Sequence, residues 1–270
     1  MGHPGRTVKS IANSCCSAFL MYSRIPMPQV EWKEENRRYA LCFFPAVGVV
    51  IGLLLWFWGI AANRLGVSDL LFASVSAVIP LLVTGGIHMD GFCDVTDARS
   101  SWADRKRKLE IMSDPHVGSF AVIAACAYLL LQTGLFTGCR QRGILAAAVL
   151  SYPLSRVLSG LAAVTFRNAK KEGTLQDFAV PADRRTTIAA LCIEGILCAA
   201  GLLKAAGAAG AAQILAAVLV FWWYRRMAYR IFGGITGDLA GWFLQVCELA
   251  QLAAAILVPA LLRSGLRISA

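Results

Sequence analysis

Three aspartates, Asp90, Asp94 and Asp97, stand at i, i+4 and i+7 in the stretch GGIHMDGFCDVTDARSSWADRKRKLEIMSDPHVG, residues 85–118. On a helix turning about 100° per residue they fall within an arc of roughly 60° on one face. Unpaired carboxylates so placed repel one another and raise each other's pKa. A divalent cation removes the repulsion, and hard oxygen ligands suit Mg²⁺, Mn²⁺ or Ca²⁺ better than zinc. The bland alternative is a solvated acidic helix end balanced by the basic run Arg105-Lys106-Arg107-Lys108. A wet surface, however, has no need to align all three carboxylates. Cys93 lies among them, but a thiolate suits softer metals.

Other residues of chemical interest lie elsewhere in the chain. Arg24 precedes the rigid turn SRIPMP, where it can meet a lipid phosphate or a bound anion. The loop 167–185, RNAKKEGTLQDFAVPADRR, carries Lys170 and Lys171; basic side chains near a metal can hold phosphate oxygens. Arg156 lies inside an apolar segment, SYPLSRVLSG, where a charge is expensive and faces a cavity or a partner. Glu194 and Glu248 are similarly placed, and helix–helix pairing explains them equally well. In GGITGDLAG, Asp238 opens the last apolar segment, as a helix cap or as part of a site among flexible glycines. The histidines are not at metal-ligand spacing: His88 projects away from the aspartate face, and His116 follows Pro115 in a loop.

The elements that must position these residues are membrane helices. Of 270 residues 57% are hydrophobic and 16% charged, against about 45–50% and about 25% in soluble domains. Apolar windows predict spans near 41–62, 69–87, 119–139, 143–166, 186–204, 210–224 and 239–262, each near the length that crosses a bilayer. No segment alternates with period two, which argues against a β-barrel. The expected fold is all-α, a single polytopic domain of about seven transmembrane helices. Residues 1–40 form an amphipathic, interfacial N-terminal segment with no evident signal-peptide pattern.

The charge pattern orients the chain. With seven spans, 19 Lys and Arg fall on the side of the N-terminus and the aspartate stretch, and 6 on the other. The positive-inside rule makes the first side cytoplasmic. The net charge of +10 thus reflects orientation and anionic ligands rather than nucleic acid. Nine scattered cysteines without a C-x-x-C pair read as free thiols, not a zinc site or disulfide framework.

GGIHMDGFCDVTDA followed by RKLEIMSDPHVGSFAV resembles the signature of the cobalamin synthase (adenosylcobinamide-GDP ribazoletransferase) family. SRIPMP, YALCFFPAVGVVIG and GGITGDLAG resemble further blocks of that family, in its order and over nearly the whole chain. The resemblance implies a Mg²⁺-dependent, multi-pass enzyme of the bacterial inner membrane. Such enzymes join adenosylcobinamide-GDP to α-ribazole or its 5′-phosphate and release GMP, late in vitamin B12 synthesis. On that footing Asp90, Asp94 and Asp97, with Asp114, are expected to bind Mg²⁺ (or Mn²⁺). Asp94 and Asp114 are the expected catalytic carboxylates, Asp114 as the proton acceptor. Arg24, Arg156, Lys170, Lys171 and Asp238 are the expected substrate contacts. A homo-oligomer is compatible with all of this.

Two rivals stand beside that reading. The aspartate array is similar in chemical logic to the CDP-alcohol phosphotransferases, but their glycines are missing after Asp97-Ala98-Arg99 and before Glu110. A cation transporter would place its acids near the bilayer midplane, whereas these cluster at helix ends.

Overall fold

The computed structural model describes residues 4–170 and 173–268, all helix and connection apart from one isolated bridge. In chain order the helices are α1 (Pro4–Tyr22), α2 (Glu34–Arg37), α3 (Phe44–Leu65), α4 (Asp69–Thr84), α5 (Ile87–Ser100) and α6 (Arg105–Ile111). There follow α7 (Ser119–Thr137), α8 (Arg142–Thr165), α9 (Thr174–Ala179), α10 (Arg184–Ala206), α11 (Ala208–Met227) and α12 (Gly237–Ile268). Among the described residues six helices are long and apolar enough to cross a membrane, or seven spans if the bent pair α4–α5 counts as one. The chain is an all-α, multi-pass membrane bundle.

Its burial pattern suits lipid. Phe57, Leu130, Ile196, Leu197 and Trp222 are exposed, while Ser155, Arg156, Gln213, Glu248 and Gln251 are buried. In a bilayer the outer surface needs no polar cover, and polar groups must find partners within the bundle. The helices α8 and α12 form the centre: α3 and α10 pack on α8, and α5 and α11 pack on α12.

One departure from the sequence reading matters for function. The span expected at 69–87 is broken by two successive glycines in left-handed conformation, Gly85 (φ 63°) and Gly86 (φ 80°). That conformation suits glycine because it lacks a Cβ. Across the break the axes of α4 and α5 bend by 95°. Residues 88–118, expected as a loop, therefore contain α5, a polar arm packed on the bundle, and the short α6. At the N-terminus, one face of α1 packs on protein: it buries Ser14, Ser17 and Ala18 and lies against α2, residues 40–43 and α3.

Candidate active site

The site forms where α5 crosses the start of α12. A Cβ on Gly91 would lie 2.7 Å from the Asp238 carbonyl oxygen, so only glycine allows the two backbones to approach this closely. The approach sets Asp90 and Asp94 of α5 beside Asp238 in the first turn of α12. Thr236 opens α12 by accepting the Leu239 N–H at 3.2 Å. It, and not Asp238, is the cap, which leaves the Asp238 carboxylate outside the helix end. A third strand of backbone closes the group. The Ile235 N–H donates to the Arg167 carbonyl (2.9 Å) and the Ala169 N–H to the Ile235 carbonyl (2.8 Å), so residues 167–170 run alongside 235–238. Lys170 Nζ then reaches Ser113 Oγ at 2.9 Å and lies 4.0 Å from Asp238 Oδ2.

The electrostatics of this corner are unbalanced. Asp94, half-buried on the polar arm α5, has its carboxyl pushed up to about 7. Burial is the main cause, followed by the negative charges of Asp90, Asp238 and Asp97; Lys170 opposes them. Among the described residues several carboxylates face one ammonium, which makes a place for a cation. Among the described residues no three His, Cys, Asp or Glu side chains converge into a ready cage. Mg²⁺ does not require one, because it commonly uses one or two carboxylates and fills its shell with water and phosphate oxygens. Asp90 and Asp94 offer oxygens of that kind.

The remaining expected residues are distributed differently. Asp97 shares the α5 face, yet its two oxygens accept the N–H groups of Gly118 (2.6 Å) and Ala121 (2.9 Å). It caps the start of α7, and both oxygens are occupied in doing so. Asp114 stands on an exposed loop, where Oδ1 accepts from the His116 N–H (2.9 Å) and pairs with His116 Nδ1 (2.7 Å). Those hydrogen bonds hold its carboxyl below the ordinary value, which suits an anion better than a proton acceptor. The structure therefore does not gather Asp97 and Asp114 with Asp90 and Asp94 as free ligands.

Arg156 also departs from expectation. Its Nη1 lies 2.5 Å from Glu248 Oε1 and 3.0 Å from the Tyr152 carbonyl, with 1% of the Arg156 side chain and 3% of that of Glu248 exposed. This is a buried ion pair between α8 and α12, not a phosphate contact. Arg24 packs along the Gly85–Gly86 break, where a Cβ on Gly85 would meet its side chain at 2.4 Å, and its N–H donates to the Val83 carbonyl at 2.7 Å. Lys171 lies outside the described residues.

Two cavities open at the corner. One, of about 130 Å³, is lined by Asn168, Lys170, Gln176, Thr236 and Asp238 among others. The second, about 230 Å³, runs from Asp90 and Asp238 inward past His88, Tyr22, Phe44 and Leu244. Asp238 borders both. Asn168, Thr236 and Ser113 were missed by sequence reasoning. Thr236, two residues before an aspartate at a helix start, carried a capping signal; the other two depend on long-range contacts.

The model of the cobalamin-5-phosphate synthase family matches residues 14–256. The chain belongs to that family. It is similar to the adenosylcobinamide-GDP ribazoletransferase of Lachnoclostridium phytofermentans, 40% identical over 237 residues, covering 88% of this chain and 90% of that protein. The enzyme of the same name from Pseudomonas savastanoi pv. phaseolicola is 34% identical, covering 87% of this chain and 94% of the relative. That from Clostridium botulinum is 29% identical, covering 93% and 99%. No solved structure matches. As a cobalamin-5-phosphate synthase family member, the chain is a transferase of cobalamin synthesis.

Proposed function

We propose that the enzyme transfers the cobinamide phosphate of adenosylcobinamide-GDP to a hydroxyl of α-ribazole or α-ribazole 5′-phosphate, releasing GMP. The reaction depends on Mg²⁺, with Mn²⁺ as a substitute, and takes place at the cytoplasmic face of the cytoplasmic (inner) membrane. The observation that carries this reading is the excess of carboxylates at the α5–α12 corner, with Lys170 as the nearby cation. A pyrophosphate and a divalent cation together complement that charge.

Asp90 and Asp94 would hold the metal. When bound, it supplies charge neutralisation at the pyrophosphate and at the departing GMP. Lys170, bonded to Ser113, orients a phosphate oxygen at the mouth. Asp238 borders both cavities and accepts the proton of the ribazole hydroxyl as that oxygen bonds to the cobinamide-linked phosphorus. The bond from that phosphorus to the GMP oxygen breaks, and GMP carries away the electron pair. This gives the proton-accepting role to Asp238 instead of Asp114, whose carboxylate is engaged by His116.

Membranes carrying the overexpressed chain, given both substrates with and without Mg²⁺, test the proposal. Mg²⁺-dependent GMP release matched by cobalamin product is expected. Release of CMP from a CDP-activated lipid, with no GMP from the corrinoid donor, would replace it with the phospholipid reading.

A further inference from the structure

The second cavity has an apolar interior and an acidic mouth. Phe44, Leu41, Tyr22, Ala163 and Leu244 line its interior, and Asp90 and Asp238 stand at the entrance. His88 borders it with 5% of its surface exposed, and His88 Nε2 has no hydrogen-bond partner. The ring sits edge-on to Phe44, with 6.0 Å between centroids. An unpartnered buried ring nitrogen is costly unless something satisfies it, and here it belongs to a side chain bordering a cavity.

We infer that this cavity binds a flat, fused, mostly apolar aromatic heterocycle carrying a ring-nitrogen acceptor, with His88 as its hydrogen-bond donor. This rests on the functional reading above, in which such a ring is the base of α-ribazole. The base enters between Phe44 and Leu244, and its ribose lies toward Asp90 and Asp238, where the acceptor hydroxyl is needed. At about 230 Å³ the cavity has no room for a corrin macrocycle. Guanine, the other base in the reaction, fits less well chemically. Its several donors and acceptors outnumber the polar side chains of the interior, His88, Ser159 and Tyr22, and each one left unmet is penalised. A benzimidazole exposes a single ring nitrogen and matches the single histidine. His88 is therefore a specificity-determining residue for the acceptor, separate from the carboxylates.

The test uses the full chain in detergent and two readouts. In turnover, His88→Leu should raise KM for α-ribazole about tenfold, leave KM for adenosylcobinamide-GDP within about twofold, and spare most of kcat. His88→Gln, which keeps an N–H donor, should restore much of the loss. In a thermal-shift measurement without the corrinoid donor, free 5,6-dimethylbenzimidazole should raise the melting temperature of the parent chain, and His88→Leu should abolish the rise. The thermal measurement needs no turnover, so failure of the functional reading is seen separately, as absent GMP release by the parent chain. A KM change confined to adenosylcobinamide-GDP would place guanine in the cavity and overturn the inference. Stabilisation by a short-chain phospholipid but not by the benzimidazole would do the same, making the occupant an acyl chain. Equal benzimidazole shifts in parent and His88→Leu would remove His88 from the role.

Discussion

The helix α12 carries two acidic residues ten positions apart, Asp238 in its first turn and Glu248 in the bundle interior, about 15 Å along the axis. They show opposite solutions to the same problem. Glu248 is fully buried and matched: Arg156 lies at 2.5 Å and the Ser155 hydroxyl donates at 2.9 Å. Asp238 is one-third exposed, 4.0 Å from Lys170, and shares its surroundings with Asp90 and Asp94. The first arrangement closes upon itself and serves the fold. The second leaves negative charge uncompensated among the described residues, and that excess is what the proposed function draws on.

The sharpest way to break the comparison is to neutralise one member of each group. Asp94→Asn should reduce Mg²⁺-dependent GMP release by a factor of about 10³ while the protein still enters the membrane folded. Near-normal turnover would show that the open group is not the metal site. Glu248→Ala should act through the fold, because it strands Arg156 in the interior. A loss of about 3–5 kcal/mol is expected, seen as a lower melting temperature in detergent. The double variant Arg156→Met, Glu248→Leu should recover most of that loss, and failure to recover would assign the pair a role beyond packing.

Asp97 sharpens the distinction within α5 itself. As the cap of α7, with one N–H on each oxygen, it should lose one of the two bonds in Asp97→Asn and both in Asp97→Ala, the latter costing about 1–2 kcal/mol. GMP release per folded molecule should stay within a few-fold of the parent in both. A fall comparable to that of Asp94→Asn would return Asp97 to the metal site.

The smallest effect is the pH dependence of stability. Asp94 titrates near 3.8 in the unfolded chain and at about 7 in the fold. Between those values the unfolded chain has released a proton that the folded chain keeps. In the absence of divalent cations, stability should therefore fall as pH rises from about 4 to about 7, and this slope should vanish above that. Saturating Mg²⁺, or Asp94→Asn, should flatten the slope in melting curves. A slope unchanged by both would locate the titration elsewhere.

Much of this was legible in the chain before folding. The apolar windows mark membrane helices because length and composition alone decide whether a segment can leave water. Six of the seven expected spans correspond to long helices, with ends moved by a few residues. The Asp90/Asp94/Asp97 spacing is a local helical property and was visible for that reason. What spacing could not show is the direction each carboxylate takes once neighbouring elements arrive. The start of α7 captures Asp97, a loop histidine captures Asp114, and α12 captures Arg156 through Glu248. His88 illustrates the same limit: the wheel turned it away from the acidic face, yet it borders the cavity that Asp90 opens. Sequence alone determined that the protein is a polytopic helical bundle with an acidic helix, because both follow from local periodicity and transfer energy. Only the tertiary structure decided which charges are spent on the fold and which remain available, because charge balance is set by partners distant in sequence.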